Sequence, residues 1–304
     1  MDTVNIYDLK INSNNFADVY EELIEFAKNP DFKQTYLLKT SPDIDNDENR
    51  NFIEKFVFDT ASFHISEYNK KKNTSININE IYIEFWSLND NHFKRMHFDK
   101  DEQDYLINKN HTTYNGPFLS CITYLNDNTC APTLITDISR KFGSDDERED
   151  FYSGKHTNFG MIFPKKLKQL TFNGGEYLHG MYLLDPSCSN RLVLPINFWF
   201  KKPKYLSYFP YYSYLKSSYS KQQIVSICKK HGYIDHTAQL FNYNKININK
   251  VMKTIEIKIE KTNIDEFNEW YKCLIFGDKS VDLLYLNEYI SNRDYVYNFK
   301  FIFM

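Results

Sequence analysis

Ile81-Tyr82-Ile83-Glu84-Phe85-Trp86 alternates one set of side chains with another at a period of two, which is the periodicity of a β-strand. Toward the C-terminus, short segments of the same kind recur at 95–99, 119–125, 133–136, 158–163, 170–172, 177–184 and 191–200. Many short strands separated by turns predict a sandwich or barrel. Residues 144–150 form a charged insertion between two of them, and are expected to be solvated.

Toward the N-terminus the pattern changes near Ile76, and the first part of the chain reads as helical. Residues 16–27 place Val19, Leu23, Ile24 and Phe26 near one face, with Asn29-Pro30 as a stop. A second helix is expected over 48–68, with Phe52, Phe56, Phe63 and Ile65 as apolar positions, and Lys70-Lys71-Lys72-Asn73-Thr74 reads as an exposed loop. Beyond Pro203 the character changes again. A Tyr-rich stretch covers 205–219, a helix is expected over 221–230, and Ile-Glu-Ile-Lys-Ile-Glu alternates within 254–260. Asn263, with Glu266 three residues on, caps a further expected helix carrying Phe267, Trp270 and Leu274, and strands are expected at 281–286 and 297–303. The expected division is one domain over 1–204, with flanking helices around a β core at about 76–200, and a small α+β region over 205–304.

The net charge of −3 does not favour a partner bound mainly through phosphates. Cys121, Cys130, Cys188, Cys228 and Cys273 are odd in number and lack zinc spacing, so they read as reduced thiols in a cytoplasmic compartment. The opening residues have no basic segment followed by an apolar run, and no stretch is apolar enough to span a membrane. Abundant Asn, Lys and Ile with few Gly and Pro resemble translated AT-rich DNA, as in a large DNA virus.

Chemistry concentrates in three places. On a strand, residues i and i+2 share a face, so His97-Phe98-Asp99 aims an imidazole and a carboxylate at one point. Phe172-Asn173-Gly174-Gly175-Glu176-Tyr177-Leu178-His179 reads as a strand, a hairpin turn and a second strand carrying His179. Arg191 then opens another strand with a guanidinium suited to a two-pronged carboxylate contact. Two imidazoles and one carboxylate on one face of an octahedral ion leave three positions open, the arrangement of non-haem Fe(II) oxygenases. Taken singly, His97 and Asp99 read as a surface pair, His179 as a satisfied core histidine and Arg191 as an ion-pair partner; their order along the chain favours a shared site. His64, His92, His111, His156, His231 and His236 lack partners at useful spacing. The Lys201-Lys202-Pro203-Lys204 stretch and its following tyrosines mix cations with aromatics, which single-stranded nucleic acid can use, although a packed linker with solvated lysines is the commoner outcome.

On these residues the chain resembles the Fe(II)/2-oxoglutarate-dependent oxygenase superfamily, most of all its prolyl-hydroxylase-like branch, over about residues 82–200. His97-Phe98-Asp99 matches the proximal His-x-Asp, Cys121-Ile122-Thr123-Tyr124-Leu125-Asn126 resembles the Tyr-Leu-Asn strand, and His179 matches the distal histidine. Arg191 stands where the family places its cosubstrate-binding base. The resemblance implies a double-stranded β-helix (jelly-roll, cupin-like) core, with Fe(II) on His97, Asp99 and His179. It implies 2-oxoglutarate held by Arg191 and Tyr124, O2 as oxidant and ascorbate as an accessory reductant. The reaction implied is hydroxylation of a C–H bond with release of succinate and CO2, with a protein or peptide as the expected substrate. Oxidation of a small molecule or of a modified nucleic-acid base, and a catalytically silent binding module, remain open. Where the family carries a Gly-Gly-x-Thr-like element, this chain has Cys130-Ala131-Pro132-Thr133, and residues 185–190 lengthen the interval before Arg191.

Overall fold

A computed structural model describes residues 4–11, 16–28, 35–38, 52–90, 94–107, 115–128, 131–139, 158–181, 191–204, 206–208, 241–246, 252–259 and 296–303. In chain order the elements are β1 (Asn5–Ile11), α1 (Phe16–Lys28), β2 (Tyr36–Leu38), α2 (Phe52–Lys72), β3 (Tyr82–Phe85), β4 (Leu88–Asp90), β5 (Lys94–His97) and α3 (Glu102–Ile107). There follow β6 (Leu119–Tyr124), β7 (Thr133–Ser139), β8 (Asn158–Ile162), β9 (Lys168–Phe172), β10 (Tyr177–Met181) and β11 (Arg191–Trp199). The last strands are β12 (Ser207–Tyr208), β13 (Phe241–Ile246), β14 (Met252–Ile259) and β15 (Val296–Phe303).

The eight strands from β4 to β11 pair from the outside inward. β4 pairs with β11, β5 with β10, β6 with β9 and β7 with β8, all antiparallel. Such nesting is one long antiparallel ribbon, and the further ladders β6–β11 and β7–β10 wind it into two sheets. The result is a double-stranded β-helix, with β4, β11, β6 and β9 in the larger sheet and β5, β10, β7 and β8 in the smaller one. The nesting itself sets β5 beside β10, and winding then lays β11 against β6 and β10 against β7.

The larger sheet is covered on both faces, which explains why β11 is buried along its whole length. On its outer side, Leu23, Phe26 and Ala27 of α1 and Phe56, Val57, Ala61 and Ile65 of α2 pack with Ile83, Phe85, Leu119, Ile196 and Phe198. With Ile53 of the same cluster, the α2 positions fall at 53, 56, 57, 61 and 65, one face of a helix. Between the sheets a smaller core joins Ile6, Tyr124, Leu170, Phe172 and Val193 of the larger sheet to Ile135 and Ile162 of the smaller. His64 belongs to the outer layer. It is buried, and its Nε2 donates to Gln169 Oε1 at 2.8 Å while the amide nitrogen of Gln169 donates to Thr123. Burial pulls the His64 imidazole down to about 4 against the raising effect of that hydrogen bond, so it is neutral.

Several sequence expectations change. The chain opens on a strand, β1, between β9 and β13. Its pairing partners are far away in sequence, so its local pattern carried little sign of it. The Lys70–Lys72 stretch is the last turn of α2. Three lysines there oppose the negative end of the helix dipole, and Asn73, at φ 53°, ends the helix in the left-handed conformation that asparagine tolerates. The segment from 173 to 176 is not a hairpin turn: β9 lies in the larger sheet and β10 in the smaller, so it crosses between them. Strands from beyond residue 204 also pair with the core, β12 with β2, β13 with β1 and β15 with β8. The expected elements at 144–150, 221–230, 263–274 and 281–286 lie outside the described residues, as do Cys130, Cys188, Cys228 and Cys273. Cys121 is a buried free thiol, and burial pushes its pKa far up. No helix among the described residues is long and apolar enough to cross a membrane.

Candidate metal centre

His97 and His179 are Cα partners across the β5–β10 ladder, so the nested pairing of the ribbon places two histidines 82 positions apart in sequence directly opposite one another. Their ring centroids are 4.5 Å apart. The chain leaves the sheet after His97, and Asp99 is fixed instead by its backbone N–H donating to Gly174 O at 2.8 Å. Its Oδ1 lies 3.6 Å from His97 Nε2 and 3.5 Å from His179 Nε2. One donor atom from each of the three residues falls within 4.8 Å of the others.

Each donor is prepared by its surroundings. His179 Nδ1 lies 2.9 Å from the carbonyl of Tyr177. A carbonyl only accepts, so Nδ1 carries a proton and Nε2 is the nitrogen turned toward the site. Phe172 packs edge-on to the same ring. Ser120 Oγ donates to Asp99 Oδ2 at 3.1 Å, leaving Oδ1 facing the imidazoles. Burial alone would raise the Asp99 pKa, but the two histidines, His179 above all, hold it far below the usual carboxylate range. The carboxylate is therefore ionised. His179 is buried, whereas the His97 side chain is half exposed and marks the mouth of the site.

Glycine at 174 is demanded by this packing. A Cβ there would lie 2.4 Å from Asp99 Oδ2 and 2.3 Å from Ser120 Oγ. The loop beyond the carboxylate is anchored as well. Asp101 caps α3 by accepting from the N–H groups of Gln103 and Asp104, and its other oxygen accepts from Lys204 N at 2.7 Å.

The three residues open onto a cavity of about 80 Å³ whose far wall includes Arg191 and Thr133. Arg191 is buried, and its Nη2 donates to Thr133 Oγ1 at 2.8 Å. Tyr124 does not line the cavity. It is fully buried and its hydroxyl donates to the same Thr133 oxygen at 2.7 Å, with its ring 5.6 Å from the guanidinium carbon. Thr133 accepts both bonds, so its own hydroxyl hydrogen remains to be donated. Burial keeps the Tyr124 phenol protonated despite the opposing effect of Arg191. Sequence reasoning passed over Thr133, Ser120 and Glu84. Thr133 was visible as the threonine of Cys130-Ala131-Pro132-Thr133, whereas nothing in the local sequence marks Ser120. His92, His111, His156, His231 and His236 lie outside the described residues.

Glu84 sits behind the cavity wall, accepting from Trp199 Nε1 at 2.7 Å and from Asn197 Nδ2 at 3.3 Å. Burial first, and then the charge of Asp99, push its carboxyl up to about 7 against the lowering effect of those two bonds. A carboxyl whose pKa is raised on folding contributes stability below its unfolded value of about 4.5, and loses it as pH rises through about 7. In metal-free protein, Glu84→Gln is therefore expected to flatten the fall in thermal midpoint between pH 5 and 8, removing up to about 3 kcal/mol of pH-dependent destabilisation. Parallel midpoint-against-pH curves for the two proteins would contradict this account.

No protein-family model and no curated protein matches the chain. Among solved structures, a Pseudomonas putida prolyl-4-hydroxylase aligns at 12% identity and TM-score 0.36, covering 64% of this chain and 94% of that one. Apo HygX from Streptomyces hygroscopicus aligns at 12% identity and TM-score 0.35, covering 68% and 85%. HygX with nickel, 2-oxoglutarate and hygromycin B bound aligns at 14% identity and TM-score 0.32, covering 68% and 86%.

Proposed function

We propose that the chain is an Fe(II)- and 2-oxoglutarate-dependent oxygenase that hydroxylates a C–H bond of a protein side chain. The observation that carries this is the convergence of His97, Asp99 and His179 on a cavity that also holds Arg191. Two imidazoles and one carboxylate form the donor set preferred by non-haem Fe(II). Sulfur is absent from it, which disfavours a structural zinc site.

Bound there, Fe(II) supplies the oxygen-activating redox chemistry. The chain's own residues orient and enclose. The Tyr177 carbonyl fixes the tautomer of His179, and Ser120 with Gly174 fixes Asp99. Arg191 and the Thr133 hydroxyl receive the far carboxylate of 2-oxoglutarate, with Tyr124 holding Thr133 in place. The overall conversion balances: substrate C–H, O2 and 2-oxoglutarate give the alcohol, succinate and CO2, one oxygen atom entering the alcohol and the other succinate. The protein side chain as substrate rests on the resemblance to prolyl hydroxylases, and the half-exposed His97 at the mouth is compatible with a group presented from outside.

The test is iron-dependent succinate release from 2-oxoglutarate, followed by mass-spectrometric capture of peptides that gain one oxygen. Wild-type protein loaded with iron that releases no succinate, with or without added peptides, ends this reading. Arg191→Leu is expected to raise KM for 2-oxoglutarate about 30-fold or more, the loss of roughly 2 kcal/mol or more for a buried charge pair. Arg191→Lys should recover part of it. An unchanged KM in Arg191→Leu would remove Arg191 from the cosubstrate site.

A further inference from the structure

A second and larger concavity, of about 520 Å³, lies on the opposite, helix-covered side of the larger sheet. Strand alternation separates the two sites: Thr171 faces this groove while its neighbour Phe172 faces the metal cavity. The groove runs between the last turn of α2 and the strands β1, β6, β9 and β13. Its volume is that of a site for one small ligand.

Its lining joins cations to aromatic rings. Lys70, Lys71 and Lys72 come from α2 and Lys245 from β13, against the carboxylates of Glu67 and Glu176. Both carboxylates are engaged, Glu67 by Lys70 at 2.8 Å and Glu176 by the Asn173 amide at 2.8 Å. The groove therefore carries a net positive charge. Three lysines at a helix end also answer the helix dipole, but that does not account for a fourth arriving from a strand beside Tyr7. The aromatic part is built of Tyr7, Tyr68 and Phe118. Tyr68 meets Phe118 edge-on at 5.2 Å, and Phe118 is backed by Phe200 stacked at 4.1 Å.

We propose that this groove binds a nucleotide, its phosphate among Lys71, Lys72 and Lys245 and its base against Tyr68 and Phe118. A planar π-system and an anion on one small molecule answer both halves of the lining. Glu67 and Glu176 offer acceptors to ribose hydroxyls or base N–H groups. A long nucleic-acid strand suits the site less well, because the two carboxylates interrupt the cationic track and the chain as a whole carries a net charge of −3.

The experiment is calorimetric titration of the full-length protein with AMP, GMP, CMP and UMP, with inorganic phosphate, adenosine and a short oligothymidylate as comparators. Saturable binding of at least one nucleotide is expected, tighter than that of phosphate or adenosine and undiminished by 2-oxoglutarate. Lys72→Glu/Lys245→Glu should weaken it about tenfold or more, and Tyr68→Leu should weaken it with phosphate affinity unchanged. Lys72 and Lys245 are exposed, so circular dichroism should match wild type; Lys71→Glu is the second charge variant. The proposal is overturned by absence of nucleotide binding, by equal affinity for inorganic phosphate, or by tighter binding of the oligonucleotide. Displacement by 2-oxoglutarate, or indifference to the lysine variants, overturns it equally.

Discussion

His179→Ala is expected to abolish iron-dependent succinate release, by more than about 100-fold, while leaving the protein folded. Residues that merely orient a metal ligand typically account for 10–100-fold in affinity or activity, and His179 is itself a donor, so its loss should exceed that range. The geometry sharpens the expectation. His179 is the buried imidazole of the pair, its tautomer is locked by the Tyr177 carbonyl, and Asp99 Oδ1 lies 3.5 Å from its Nε2. Its removal leaves a largely enclosed carboxylate that has lost the partner chiefly holding it ionised, with one half-exposed histidine for company. Such a pair cannot compete with water for Fe(II). Two measurements check it: iron content after dialysis, and succinate formed per protein. Added imidazole should restore part of both, because the vacated space adjoins the cavity. Full succinate release from the alanine variant would mean that the three residues do not form the iron site.

Gly174→Ala should damage the same centre without touching a ligand. The new methyl would sit 2.4 Å from Asp99 Oδ2 and 2.3 Å from Ser120 Oγ, well inside contact distance. Either atom can yield only by rotating its side chain out of the Ser120–Asp99 hydrogen bond, because the backbones are held by Gly174 O and by the strands flanking β6. Overpacking of this kind costs about 1–3 kcal/mol of stability. Here it also pushes the carboxylate off the imidazoles, so iron affinity and succinate release should fall together. Ser120→Ala/Gly174→Ala should regain part of the thermal midpoint, because one collision is gone, but little of the turnover, because the other remains. Wild-type iron affinity in Gly174→Ala would show that the turn can move away, and the close-approach argument would fail.

The polar half of Ile81–Trp86 shows where sequence reasoning stops. Its alternation identified a strand, and β3 is one. In a sheet covered on both sides, the second set does not face water: Glu84 is held by Trp199 and Asn197, and Trp86 lines the metal cavity. Alternation reports that two faces differ, not what lies beyond each. His97 and Asp99 were legible because i and i+2 is a local relation, although the strand ends at His97 and a hydrogen bond to Gly174, not the ladder, aims Asp99. The opposition of His97 and His179 depends on the long-range nesting of β5 with β10, and no local pattern encodes it. For the same reason the crossing at 173–176 looked like a hairpin: two strands and a Gly-Gly pair read alike whether the chain returns along one sheet or passes to another. Resemblance carried Tyr124 to a cosubstrate contact. In the structure Thr133 lines the cavity and the Tyr124 hydroxyl donates to it, so the local pattern gave Tyr124 without the threonine between it and the cavity.

The smaller sheet ends on β5, so among the described residues the half-exposed ligand sits on an outermost strand and its two companions lie deeper. On the proposed reading, a cation arriving from solvent would meet His97 first and then the two deeper donors. Its departure would ask one imidazole at the rim to turn outward, not the barrel to open. A chelator is therefore expected to empty the site, and added iron to refill it, with the circular dichroism of the protein unchanged.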